Sequence, residues 1–156
     1  RPLLDAICYC SQHIRSNSNN TFFKRYTHWL YQHLQHSLHP VDYQSVAAYI
    51  ESRICFGGMY PPMGMIEYAN NSYVSSHLFE SCPALYPVMR DCALIGVLSN
   101  DLISYHKEKH SQQNLLNAYV KTGTAPTLEA AIQKGLDCVN AHYYSFVRNL
   151  ALLKRQ

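Results

Sequence analysis

The sequence predicts an all-α protein of six or seven helices, and three observations carry that prediction. Apolar residues recur at three- and four-residue spacing along most of the chain. No stretch alternates apolar and polar residues as a half-buried strand does. Clusters of Asn/Ser, Gly/Pro and Thr-Gly separate the periodic stretches and supply the breaks. The 156 residues suffice for one domain with a core of its own.

Residues 3–15 read as the first helix, with Leu3, Leu4, Ile7, Cys8 and Ile14 at helical spacing. Ser16-Asn17-Ser18-Asn19-Asn20 breaks it and offers caps for the next. Residues 21–38 form the second, with Phe22, Tyr26, Trp29, Leu30, His33 and Leu34 in one stripe and Pro40 at its end. A third starts near Val41, where Asp42 suits a positive helix N-terminus. Its apolar stripe is Tyr43, Val46, Ala47, Ile50 and Ile54. Arg53 lies seven residues after Val46 and three after Ile50, so it projects inward and needs an anionic partner. Gly57-Gly58 and Pro61-Pro62 then force a break. A segment at about 62–71 resumes with Met63, Met65, Ile66 and Tyr68, and residues 72–83 read as loop.

The next helix spans about 84–108. Ala93, Gly96, Asn100, Ser104 and Glu108 follow one another on a single face, the small residues leaving space for something to lie against it. Leu94, Ile95, Leu98 and Leu102 pack its other faces. Residues 114–119 make a short helix. Thr127 caps a last one over about 128–152, with Glu129 in its first turn and Leu128, Ala131, Ile132, Gly135, Leu136, Val139, Tyr143, Phe146 and Leu150 at core spacing.

Composition narrows the function. Charged residues are 15%, against about 25% in ordinary domains. The net charge is +3 and no basic run exceeds two residues, which argues against nucleic acid as a partner. No apolar run of about 18 residues exists to span a membrane. The N-terminal residues do not resemble a signal peptide. Six scattered cysteines are then expected to be reduced, buried thiols in a cytoplasmic protein. Cys8, Cys10 and His13 fit no common zinc spacing. His33, His36, His39, His106 and His110 read as surface helix residues.

The stretch that carries chemistry is Ser99-Asn100-Asp101-Leu102-Ile103-Ser104-Tyr105-His106-Lys107-Glu108. Asn100, Ser104 and Glu108 stand at i, i+4 and i+8, so on a helix they form one polar stripe roughly 12 Å long. An amide oxygen, a hydroxyl and a carboxylate are hard donors, a set that suits Mg²⁺. The plain alternative is a solvated helix face.

This string resembles the second metal-binding motif of class I terpene synthases, Asn/Asp-Asp-Leu/Ile/Val-x-Ser/Thr-x-x-x-Glu. Further segments resemble the same family, and fungal sesquiterpene cyclases in particular: Phe23-Lys24-Arg25-Tyr26, Tyr49-Ile50-Glu51-Ser52-Arg53, Glu67-Tyr68-Ala69-Asn70-Asn71, Gln113-Asn114-Leu115 and Leu128-Glu129-Ala130-Ala131. The resemblance implies an isoprenoid-synthase-type helical bundle, here partial. It implies Mg²⁺ held by Asn100, Ser104 and Glu108. Arg53, 47 residues before Asn100, corresponds to the pyrophosphate sensor. Gly57 corresponds to the effector whose carbonyl faces the forming allyl cation. Phe56 falls on the linker position, where several members carry Asp. Lys107 falls on a position that helps hold pyrophosphate. The implied substrate is a prenyl diphosphate, farnesyl diphosphate above all, and the implied product a cyclic terpene.

The ten acidic residues include no adjacent pair and no Asp-rich first metal motif, and the family's late Arg-Tyr pair is absent. The chain therefore reads as a single, truncated synthase-like domain, the middle and later part of a synthase, weak or inactive by itself. The competing expectation is a non-catalytic helical module that keeps the fold and binds an isoprenoid or a partner.

Overall fold

A computed structural model describes residues 2–38 and 42–154. Among them are eight helices and no strands: α1 (Pro2–Ser16), α2 (Asn20–Leu38), α3 (Val46–Phe56), α4 (Tyr60–Ala69), α5 (Ser76–Ser81), α6 (Leu85–Glu108), α7 (Leu115–Lys121) and α8 (Leu128–Leu153). The expected all-α class holds, with one helix more than predicted. The addition is α5, a six-residue helix within the stretch read as loop. Ser75 caps it by accepting from the Leu78 amide, which the Ser75-Ser76 pair had suggested only as a break.

Local chemistry sets the boundaries. The Ser45 hydroxyl caps α3 by accepting from the Ala48 amide at 3.1 Å, so the helix begins at Val46. Asp42 is therefore no N-terminal helix charge; it is exposed and paired with Lys121 at 2.8 Å, which lowers its carboxyl below the ordinary value. Pro40, Val41 and His39 lie outside the described residues, as do Arg155 and Gln156. Prolines 61 and 62 occupy the first turn of α4, where a missing N–H costs nothing. Thr127 caps α8 as expected, accepting from Ala130 at 3.2 Å.

The core lies between α3, α6, α7 and the first half of α8. Tyr43, Tyr49, Ile54, Leu94, Val97, Leu98, Leu115, Leu116 and Ala131 are its members. Long α6 runs against α8, and α7 closes the end of that pair. Gly135 makes the approach possible: a Cβ there would sit 2.7 Å from Leu102 Cδ2 and 3.2 Å from Leu116 Cδ2. The stripe of small residues on α6 is not open, as its spacing suggested. Ala93 is wholly buried, and Met59 packs against Gly96.

Packing thins away from this centre. No residue of α1 is buried, although it is helical as predicted. Ile132, Leu136 and Tyr143 of α8 stay exposed despite their core spacing, and so does Ala47 on α3. Helix α8 meets α6 and α7 on one side only, which leaves the flank of its apolar stripe uncovered. The accessible surface is 9880 Å², against about 8000 Å² for a compact monomer of this mass. Of the cysteines only Cys82 is fully buried, and Cys8, Cys10 and Cys92 are exposed. Among the described residues no helix is long and apolar enough to cross a membrane.

Candidate active site

Helix α6 carries the polar stripe, and its three members differ in state. Asn100 is exposed, while Ser104 and Glu108 are half-buried. The Ser104 hydroxyl oxygen is buried yet has no hydrogen-bond partner. Such a group costs about 1–3 kcal/mol; Arg25 Nε, His33 Nδ1 and Tyr60 Oη share that state, but only Ser104 stands between two other oxygen donors on one helix face. Glu108 Oε2 accepts from Asn114 Nδ2 at 3.1 Å. Asn114 is fully buried and does three things. Its Oδ1 caps α7 through the Leu116 amide at 3.0 Å, and its Nδ2 bonds both Glu108 and the Asp101 carbonyl at 2.8 Å. The end of the stripe is thereby tied to the start of α7. Lys107 is exposed, one residue round the helix from Glu108.

The inward orientation expected of Arg53 is observed, and its partner is Asp101. Arg53 Nε donates to Asp101 Oδ1 at 2.9 Å, and Nη2 lies 2.7 Å from the same oxygen. Nη2 also reaches Asn100 Oδ1 at 3.4 Å and the Val97 carbonyl at 3.5 Å. Asp101 has no solvent exposure, and its other oxygen is fully used. Oδ2 accepts from the Tyr49 hydroxyl at 2.5 Å and from the Leu115 amide at 3.0 Å. Burial pushes the Asp101 carboxyl up from its ordinary value, and Arg53, Tyr49 and Leu115 pull against that. Burial first, then the neighbouring Asp101 charge, raises Tyr49 far above the usual phenol, so it stays a donor.

Phe56 and Gly57 belong to the same junction. The Arg53 guanidinium lies over the Phe56 ring, 4.7 Å from its centroid, in a cation–π contact. Gly57 ends α3, its amide bonding the Arg53 carbonyl at 2.8 Å. A Cβ on Gly57 would collide with Val97 Cγ1, lie 2.8 Å from the Arg53 carbonyl and 3.2 Å from Arg53 Nη1. Gly58 has φ +66° and completes the turn. His33 packs against Gly58 and is half-buried, so it is no plain surface histidine.

Four of the expected site residues thus meet where α3 crosses α6: Arg53, Phe56 and Gly57 with Asn100. Ser104, Lys107 and Glu108 follow along α6. Sequence reasoning did not assign Asp101 a role, although it required an anion for Arg53 and quoted Asp101 inside the motif. Two further aromatic residues, Tyr60 and Tyr26, are engaged elsewhere: Tyr60 stacks on Trp29, and Tyr26 lines an apolar hollow of about 310 Å³ between α1 and α2. Among the described residues no three His, Cys, Asp or Glu side chains converge to hold a metal. The α6 stripe has a different character: three neutral or anionic oxygen donors, one already unpartnered. That donor chemistry fits a hard divalent cation.

Among the described residues the fold is all-helical, with a stripe of hard oxygen donors on α6 beside a buried guanidinium anchored by a carboxylate. The sequence matches the family described as terpene synthase family 2, C-terminal metal binding, over residues 3–143. The chain belongs to that terpene synthase family. Among curated proteins, none matches it.

Proposed function

We propose that this protein acts as a Mg²⁺-dependent terpene synthase, ionising a prenyl diphosphate, farnesyl diphosphate in first place, to a cyclic terpene and pyrophosphate in the cytoplasm. The observation that carries the reading is the buried, unpartnered Ser104 hydroxyl between Asn100 and Glu108 on one helix face. In this reading those three residues hold the metal. When bound, it stabilises the negative charge gathering on the departing pyrophosphate. The allylic carbon–oxygen bond breaks and its electron pair leaves with the pyrophosphate. Arg53 meets that charge with the part of its guanidinium not committed to Asp101, and Lys107 adds a second cation near the stripe's end. In this reading the Gly57 carbonyl and the Phe56 ring stabilise positive charge on the hydrocarbon, the ring with the face that the Arg53 guanidinium leaves uncovered.

Since the acidic residues include no Asp-rich motif, the 156-residue chain alone should turn over farnesyl diphosphate slowly or not at all. Product analysis by gas chromatography tests this, and abundant terpene would refute it. Binding tests the metal assignment. Asn100→Ala or Glu108→Ala should abolish Mg²⁺-dependent broadening of the pyrophosphate ³¹P resonances while circular dichroism stays helical. Unchanged broadening in both variants would remove the stripe from the site.

A further inference from the structure

Among the described residues, Asp101 is the one fully buried carboxylate that reaches both halves of the site just described, and that reading of the site is the premise here. Its neighbour Asn100 is exposed at the outer edge of α6, whereas Asp101 points between α3 and α7. Four donors converge on it: Arg53 Nε and Nη2 on one oxygen, Tyr49 Oη and the Leu115 amide on the other. The guanidinium is a rigid planar fork, so fixing its Nε–Nη2 edge fixes the whole group. The remaining nitrogen, Nη1, has no protein partner among the described residues and lies beside Gly57. The edge left over therefore faces the helix break, and Nη2 also bonds the Asn100 amide oxygen.

We infer that Asp101 is a positioning residue for pyrophosphate binding: it clamps the inner edge of Arg53, with Tyr49 and the Leu115 amide holding the carboxylate, so that Nη1 is presented to the anion and Arg53 stays in register with Asn100. Two consequences follow. Pyrophosphate affinity depends on a residue that never touches pyrophosphate. The anion and metal halves of the site are also coupled, because Arg53 and Asn100 share a hydrogen bond and Asp101 anchors Arg53; by linkage, each ligand then tightens or loosens the other by the same factor.

The test uses the full chain, inorganic pyrophosphate with Mg²⁺ as the probe, ³¹P titration for affinity, and the ¹⁵N-labelled Arg53 Nε–H resonance as a local signature. In the unliganded protein that resonance should be resolved and slow to exchange, and Asp101→Asn should move it and speed its exchange. Asp101→Asn should weaken pyrophosphate binding about tenfold, the scale of a lost charge-assisted hydrogen bond. The double variant Arg53→Ala/Asp101→Asn should bind no more weakly than Arg53→Ala alone, because Asp101 acts only through Arg53. Glu67→Gln, which alters a different buried ion pair, should leave binding unchanged. Tyr49→Phe keeps the ion pair and serves if Asp101→Asn fails to fold; it should weaken binding about threefold.

Wild-type affinity in Asp101→Asn, or in Tyr49→Phe where that variant stands in, would overturn the inference and leave the proposed site intact. So would losses that add fully in the double variant, since these would mark a structural role alone. No pyrophosphate binding by the wild-type chain would overturn the site reading itself, and the inference with it.

Discussion

Two arginines are drawn into the interior of this protein, and they are used differently. Arg25 of α2 pairs with Glu67 of α4 at 2.5 Å and gives Nη1 to the Val74 carbonyl at 3.0 Å. Glu67 accepts from the Val74 amide at 2.8 Å as well, so the trio pins the stretch before α5 onto two helices. Around it stand Trp29, Phe79 and Phe22, with ring centroids 5.4, 5.0 and 5.9 Å from the guanidinium. Both terminal nitrogens are spent on protein, and the one unpartnered nitrogen, Nε, is sealed inside. Arg53 is equally buried and equally paired, yet one terminal nitrogen is left without a protein partner at a helix break. An arginine enclosed on all sides is a clamp; one anchored along a single edge is a clamp with a free face. Burial and ion pairing alone do not distinguish them, and the fate of the terminal N–H groups does.

The sharpest way to break this comparison is to remove each carboxylate. Asp101→Ala leaves Arg53 charged without its ion-pair partner, and should cost about 3–5 kcal/mol in urea denaturation. Glu67→Ala should cost less, about 2–3 kcal/mol, because Val74 and the three rings still hold Arg25. The two should part completely in pyrophosphate titrations, where only Asp101→Ala weakens binding. If both variants weakened it equally, the contrast would fail.

Gly57→Ala sharpens the Arg53 side. The added methyl must displace Val97 or the α3 terminus, and a cost of about 1–3 kcal/mol is expected from overpacking. Because the same methyl crowds Arg53 Nη1, affinity for Mg²⁺-pyrophosphate should fall beyond what the stability loss explains. Gly64→Ala is the control beside Arg25's helix, crowding Tyr26 at 2.9 Å, and should destabilise without touching affinity.

The smallest effect concerns a third buried carboxylate, Asp91, whose partner is His142 at 2.8 Å across the α6–α8 contact. Cys138, one turn earlier on α8, and then Asp91 raise the His142 imidazole above its ordinary value, against the opposing effect of burial. The folded state holds that proton more tightly than the unfolded chain does. The stabilisation is complete below about pH 6.5, the unfolded value, and is lost as pH rises through the higher folded value. Urea midpoints should fall over that interval in the wild type and change less in His142→Asn. Unlike the two arginines, this pair is a clamp that pH can loosen.

The sequence by itself determined the helices and the stripe, for a physical reason. Helical periodicity, caps and breakers are local, so Thr127, the Gly57-Gly58 break and the i, i+4, i+8 spacing of Asn100, Ser104 and Glu108 were legible from neighbours a few residues apart, whereas the expected start near Val41 misses the Ser45 cap and the expected loop misses the short α5. Periodicity also required an inward Arg53 and therefore a buried anion. It did not say which anion, because Arg53 and Asp101 are 48 residues apart and nothing local distinguishes Asp101 from an exposed acid. Only tertiary packing decided that α6 turns Asp101 inward and Asn100 outward, that Met59 fills the small-residue groove, and that Ser104 keeps a buried hydroxyl without a partner. The same packing left α1 and one flank of α8 uncovered, where an apolar stripe promised burial. A stripe shows which face of a helix is apolar; what covers that face depends on which other helices lie within reach.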